Sequence, residues 1–165
     1  MNYSGFNKVD MENGEGVRVS LFVSGCPFNC KGCFNQEARH LEAGLPFDET
    51  MLEEVLQALD KDYISGLSLL GGDPFHPHLR EDVLRLCVMV KRRFPNKTIW
   101  FWTGFLFEDI QAEFPQFLNE IDVLIDGKFE LKQLDRRLKW RGSANQRVID
   151  VQQSIQSQQV ILYCD

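Results

Sequence analysis

The chain has 165 residues, 44% apolar and 25% charged, with a net charge of −6. Those proportions fit one soluble globular domain spanning 1–165, long enough to bury a core, and they argue against the basic footprint of a nucleic-acid binder. No apolar stretch approaches the ~20 residues of a membrane span, and residues 1–10 are polar, without the apolar segment of a signal peptide.

In chain order, apolar runs alternate with helical patterns, which predicts βα units around a mainly parallel sheet. Val17–Val23 reads as the first strand, followed by a cysteine-rich loop. Met51, Leu52, Val55, Leu56 and Leu59 recur at helical spacing, with Thr50 and Glu53 as a capping box. Residues 67–70 form a short strand ending in Gly71-Gly72-Asp73-Pro74, and 79–94 a second helix with Val83, Leu86, Cys87 and Val90 on one face. Thr98–Trp102 is a third strand, 105–119 a helical stretch interrupted near Pro115, and Val123–Asp126 a fourth strand. The charged stretch 127–142 reads mostly as loop. Residues 148–151 and 160–163 are further strand candidates around the Gln/Ser-rich segment 152–159.

About five to six strands are too few for a complete eightfold barrel of ~250 residues. The expected fold class is therefore α/β, a partial open barrel of mainly parallel strands. In such folds the chemistry collects beyond the carboxyl ends of the strands. The cysteine loop, Gly71–Pro74, Thr103-Gly104 and Asp126-Gly127-Lys128 all follow predicted strands, as parts of one site would.

Five cysteines are present, and Cys26, Cys30 and Cys33 stand in C-x3-C-x2-C spacing. An odd number, crowded, argues for a reducing, cytoplasmic setting and thiolate ligation rather than disulfides. Closed structural zinc sites and closed electron-transfer clusters both want four protein ligands. Three thiolates can hold three irons of a cubane [4Fe–4S] cluster and leave the fourth open to an outside ligand. The alternative is a zinc knuckle with Cys164 or a histidine as fourth ligand. Cys87 reads as a core thiol, Cys164 as mobile, and His40, His76 and His78 as surface or turn residues.

The run Gly25-Cys26-Pro27-Phe28-Asn29-Cys30-Lys31-Gly32-Cys33-Phe34-Asn35 resembles the cluster loop of the radical S-adenosylmethionine (SAM) enzymes. Within them it is similar to the glycyl-radical-enzyme activases that serve anaerobic ribonucleotide reductase, which carry glycine before the third cysteine and an aromatic residue and asparagine after it. The resemblance runs from Asn13 to about Ser154; the last ten or so residues match no pattern of that family. It implies a cluster on Cys26, Cys30 and Cys33 whose open iron chelates the methionine part of SAM. Reductive cleavage would give a 5′-deoxyadenosyl radical that takes a hydrogen atom from a glycine of the reductase. No catalytic side chain is implied beyond cluster and cofactor, and the implied partners are the reductase large subunit and a low-potential electron donor such as flavodoxin or ferredoxin.

The same resemblance assigns cofactor contacts. Gly71, Gly72 and Asp73 look like the family's GGE-type motif, in which missing side chains admit the cofactor ammonium; read alone they are a glycine-rich turn. Asp126 and Lys128 look like its D-x-K element, with the lysine facing the methionine carboxylate; read alone they are a solvated turn. Thr103 is placed on the adenosine side, but Trp102 stands where related activases often have an acidic residue, which leaves a cation site there unsupported. Arg141-Gly142-Ser143-Ala144-Asn145-Gln146-Arg147 resembles the subgroup's RGSxNQR segment, with Asn145 and Arg147 toward the cofactor. Two rivals stay open: a small radical-SAM enzyme acting on a metabolite, such as a deazapurine-forming synthase, and a zinc-binding interaction module.

Overall fold

The computed structural model of the chain describes residues 1–164. Eight strands form one sheet: β1 (Asn2–Asp10), β2 (Val17–Val23), β3 (Leu45–Pro46), β4 (Ile64–Gly71), β5 (Thr98–Trp102), β6 (Val123–Asp126), β7 (Arg147–Asp150) and β8 (Ile161–Cys164). Their order across the sheet is β3-β1-β2-β4-β5-β6-β7-β8. The helices are α1 (Glu49–Leu59), α2 (Arg80–Arg93), α3 (Phe107–Glu113), α4 (Pro115–Leu118) and α5 (Val151–Ser157).

The expected sheet of five to six mainly parallel strands is corrected. The parallel block is β2-β4-β5-β6. Antiparallel strands flank it on both sides, so four of the seven pairings are antiparallel. The predicted strands of the parallel block are those buried on both faces and rich in apolar residues. Two strands lie outside the predicted set: β3, of two residues, and β1, which has one wet face, its residues mostly half-buried or exposed, and polar side chains breaking the pattern.

Register alternation gives the sheet two faces. Val19, Leu21, Leu67, Leu69, Ile99, Phe101, Leu124 and Ile149 pack under the helices in the main core. The other face carries Arg18, Ser20, Ser68 and Trp100, with Val123, Ile125 and Val148 in a smaller cluster that also takes in Trp102 and Trp140. Arg18 is 1% exposed, and none of its acceptors is a carboxylate. Its guanidinium donates to Ser68 Oγ, Thr98 Oγ1 and the carbonyls of Glu15, Leu67 and Thr98. Burial pushes its pKa down to about 10, so the cation is held by a full set of neutral acceptors.

This second face is concave. The Tyr163 hydroxyl on β8 donates to the Glu15 carboxylate in the β1–β2 connection. Five strand spacings separate β8 from β2, roughly 24 Å in a flat sheet. Only a curled sheet brings the two together.

Local chemistry sets the helix ends. Asp48, not the Thr50–Glu53 pair, caps α1, its carboxylate accepting from Met51 N at 2.9 Å; the capping aspartate lies two residues ahead of the predicted start. Pro115 has no N–H to continue α3, so the chain breaks at Phe114 and restarts with proline in the first turn of α4. In the Gln/Ser-rich segment, α5 starts on Asp150, which accepts from Gln153 N at 2.9 Å. Cys164 is half-buried in β8, paired with Val148, so its reading as mobile is also corrected.

Replacing Arg18 by alanine strands several buried acceptors. Arg18→Ala is expected to cost on the order of 3 kcal/mol and to lower the melting midpoint by roughly 10 °C, read by thermal unfolding. A midpoint within 2 °C or so of wild type would refute this role for the guanidinium network.

Candidate metal centre and cofactor pocket

The carboxyl ends of β2, β4, β5 and β6 meet at one end of the sheet, where backbone hydrogen bonds lace their loops together. Gly72 N donates to Val23 O and Asp73 N to Gly25 O, both at 2.7 Å. Gly25 N and Cys26 N donate in turn to Ala38 O and Arg39 O at 2.7 and 2.9 Å. A β-carbon on Gly72 would fall on the Gly25 carbonyl oxygen and within 2.9 Å of Ala38 O. The absent side chain therefore makes room for the cysteine loop's own backbone. Gly71 is held at φ +102, and a β-carbon there would meet Phe22 Cα and Val23 O at 2.8 Å, so it too is fixed by β2.

Asp73 ties the β4 end to the β5 end. Its carboxylate is 1% exposed and accepts from Thr103 Oγ1 at 2.8 Å, Phe75 N at 2.9 Å and Gly104 N at 2.9 Å. Burial raises its pKa to about 6, against an ordinary value of 3.8, because those bonds only partly offset desolvation.

Cys26, Cys30 and Cys33 are half-buried free thiols lining one cavity of about 580 Å³. Gly71, Gly72, Asp73, Thr103 and Lys128 line the same cavity. Asn35 N donates to the Cys33 sulfur at 3.4 Å, and the backbone of Phe28 and of Phe129 partly favours the thiolates of Cys26 and Cys30. Burial pushes the Cys26 thiol up to about 11 and raises Cys30 as well, so metal binding there must displace protons.

Among the described residues, no three His, Cys, Asp or Glu side chains converge on a point where one ion would sit. In a cubane each thiolate takes a different iron. Three thiols spread around a roomy cavity fit that group better than they fit a single zinc ion.

Phe28, between the first two cysteines, pins the loop to the neighbouring strand ends. Its ring lies on Gly104, where a β-carbon would meet it at 2.5 Å, and packs against Phe105 at 4.8 Å. Lys128 Nζ sits 4.6 Å from the Phe28 ring centroid, which places its ammonium beside the cysteine loop.

The remaining predicted residues lie behind this wall. Asp126 is fully buried, accepting from Phe107 N at 2.9 Å and from Arg147 at 2.5 and 3.0 Å. Arg147 also forks onto Glu108 at 2.8 and 3.0 Å. Asn145 Nδ2 donates to Lys128 O at 2.8 Å. Neither Asp126, Asn145 nor Arg147 lines the cavity, whereas Gln146 and Arg141 from the same segment do. Gln146 Nε2 donates to Gly127 O at 2.9 Å and its Oε1 accepts from Gly142 N at 3.0 Å. Arg141 Nε is buried without a partner. Sequence reasoning turned Asn145 and Arg147 of this segment toward the cofactor and gave Gln146 no role, because pattern alone does not say which polar side chains face inward. Cys87 lies in the core, its thiol raised by burial, and His76 and His78 stack on each other beyond the β4 turn.

Residues 12–149 match the family model described as a 4Fe-4S single cluster domain. A protein of Haemophilus influenzae is 47% identical over 148 residues, covering 88% of this chain and 96% of its own length. One of Enterobacteria phage T4 is 46% identical over 148 residues, covering 90% and 93%. One of Escherichia coli K12 is 41% identical over 150 residues, covering 90% and 97%. All three are named anaerobic ribonucleoside-triphosphate reductase-activating protein.

Two outcomes follow from this geometry. Gly72→Ala should displace the Gly25 and Ala38 carbonyls, and with them Cys26, so iron retained per chain after anaerobic reconstitution should drop at least twofold; undiminished iron would contradict the assigned packing. Asp73 titrates higher in the folded than in the unfolded chain, so its contribution is favourable at low pH and is lost as pH rises from about 4 through 6. Melting curves of metal-free protein should show the stability deficit of Asp73→Asn largest near pH 4 and smaller at pH 7; the opposite trend would refute the raised value.

Proposed function

The chain belongs to the family of anaerobic ribonucleoside-triphosphate reductase-activating proteins, and from that premise we propose that it generates a glycyl radical on the reductase by radical-SAM chemistry. The observation that carries the reading is the meeting of three thiols with the Gly71–Asp73, Thr103 and Lys128 loops around one cavity. Cys26, Cys30 and Cys33 would hold the cluster, which would supply the electron for reductive cleavage of SAM to methionine and the 5′-deoxyadenosyl radical that takes a hydrogen atom from a glycine Cα of the reductase. The Asn35 N–H at the Cys33 sulfur stabilises its thiolate.

Lys128, whose ammonium lies over the Phe28 ring of the cysteine loop and which lines the cavity, neutralises the methionine carboxylate. Gly71, Gly72 and Asp73 present backbone to the cofactor ammonium, and Thr103, bonded to Asp73, borders the adenosine side. Asn145 and Arg147 act on the cofactor indirectly, Asn145 through the Lys128 carbonyl and Arg147 through Asp126. Arg141 lines the cavity and has a buried Nε without a partner, and is a further donor for the cofactor's oxygens.

The fold assigned is a partial, open (β/α) barrel of the radical-SAM type, acting as one activase domain. The parallel block β2-β4-β5-β6, the site at its carboxyl ends and the curled concave face support it. The mouth of the cavity is bordered by 127–142, with six Lys or Arg against two Asp or Glu in a chain of net charge −6. That segment is the docking side for the reductase, and the electron donor is a low-potential redox protein such as flavodoxin or ferredoxin. Among the described residues no helix is long and apolar enough to cross a membrane, and unpaired thiols suit the reducing cytoplasm.

Anaerobic incubation with SAM, reductant and the reductase should yield a glycyl-radical signal with wild-type protein and none with Cys30→Ala, while Cys87→Ala retains it. A signal from Cys30→Ala would sink the assignment. Lys128→Ala removes one charge-assisted contact of about 1.5–3 kcal/mol, so the KM for SAM should rise roughly tenfold or more. Asn145→Ala, which frees the Lys128 loop, should shift it the same way by a smaller factor. An unchanged KM in both variants would place the methionine carboxylate elsewhere.

A further inference from the structure

The concave face carries all three tryptophans of the chain together with Tyr163. The Trp100 ring centroid lies 4.7 Å from Trp140, 6.1 Å from Trp102 and 5.2 Å from Tyr163, and Trp140 lies 6.1 Å from Tyr163. The group divides two cavities. Trp102 and Trp140 line the cysteine cavity, whereas Trp100 and Tyr163 line a second one of about 510 Å³ together with Glu15 and Arg18.

Trp140 stands in the left-handed region at φ 60, a conformation costly for a bulky residue that persists only where its surroundings enforce it. Its carbonyl accepts from Trp102 Nε1 at 2.7 Å, and its ring is backed by Trp100 and Tyr163.

Leu162 faces Ile149 of the main core, so alternation along β8 turns Tyr163 to the concave face. Cys164 rather than Tyr163 faces Val148, so a β-bulge at Tyr163 places both residues on that face. The Tyr163 hydroxyl bridges to Glu15 in the β1–β2 connection. The family model ends at residue 149, so β8 lies outside the matched region.

We infer that Tyr163 is a positioning residue for the cysteine cavity: from the β8 bulge it buttresses Trp140 as the cavity's floor and, through Glu15, closes the sheet's open side beneath it. With the cavity's ligand taken as SAM, the inference rests on the function proposed above. The floor matters for binding because an apolar wall of fixed depth limits how far the ligand sinks from the metal end. Loss of the buttress should loosen the ligand without touching the thiolates.

The test compares Tyr163→Ala, Tyr163→Phe and wild type. Phenylalanine keeps the aromatic contact with Trp100 and Trp140 and loses only the hydroxyl. Tyr163→Ala is expected to lose much of the near-ultraviolet circular dichroism of the tryptophan cluster and to raise acrylamide quenching of tryptophan fluorescence at least twofold. Its KM for SAM in uncoupled cleavage should rise roughly tenfold, with kcat and iron per chain staying within about twofold of wild type. Tyr163→Phe should keep the spectrum and a KM within about threefold. Wild-type spectra and KM in Tyr163→Ala would overturn the inference. So would a joint fall of kcat, iron content and melting midpoint, which would mark a general fold support. The spectral arm needs no cofactor: if wild type itself cleaves no SAM, the functional reading falls, and an unchanged Tyr163→Ala spectrum is what overturns the buttress.

Discussion

The site depends on a backbone seam between two loops. Asp73 N–H donates to the Gly25 carbonyl while Gly72, which has no room for a β-carbon, lies against that same carbonyl. Because Gly25 directly precedes Cys26, the end of β4 fixes where the first thiol stands. Asp73 carries the constraint onward to Thr103 and Gly104 at the end of β5. Phe28, lying on Gly104 and beneath Lys128, returns it from β5 and β6 to the cysteine loop. The loops thus hold one another in place, and the parallel block sets their spacing.

The design carries electrostatic costs that its hydrogen bonds partly offset. A carboxylate at the core of the seam, thiols raised by burial and an arginine with only neutral acceptors are each unfavourable in isolation. Asp73 and Arg18 keep directional donors and acceptors, which offset part of that cost and fix their geometry. Burial likewise dominates at Cys26 and Cys30, and there a bound cation would complete the balance.

Much of the site was legible because its parts are local. Cys26, Cys30, Cys33, the Gly71–Asp73 turn and Lys128 each sit in a short motif after an apolar strand, and the structure brings them to one cavity. The central strands were legible for the same reason, since burial on both faces leaves short segments rich in apolar residues. β1 was not, because its wet face mixes polar residues into the pattern, and α5 was not, because only Val151, Ser154 and Ile155 carry its inward side. The direction of side chains after β6 was also hidden. Asp126 and Arg147 look equally suited to face a ligand or each other, and only the register of β6 against β7, which sets Asp126 opposite Arg147, shows that they pair. The contact of Tyr163 with the tryptophans and Glu15 was hidden as well, because it depends on the curl of the sheet rather than on any local pattern.

The central claim is that three thiolates from this loop hold a four-iron cluster and leave one iron to the methionine end of SAM. The most direct test is electron–nuclear double resonance on the reduced, anaerobically reconstituted protein, with SAM carrying nitrogen-15 in its amino group. The account predicts a nitrogen-15 coupling to the cluster spin that disappears when unlabelled SAM is used. A four-iron cluster with bound, labelled SAM and no such coupling would contradict it.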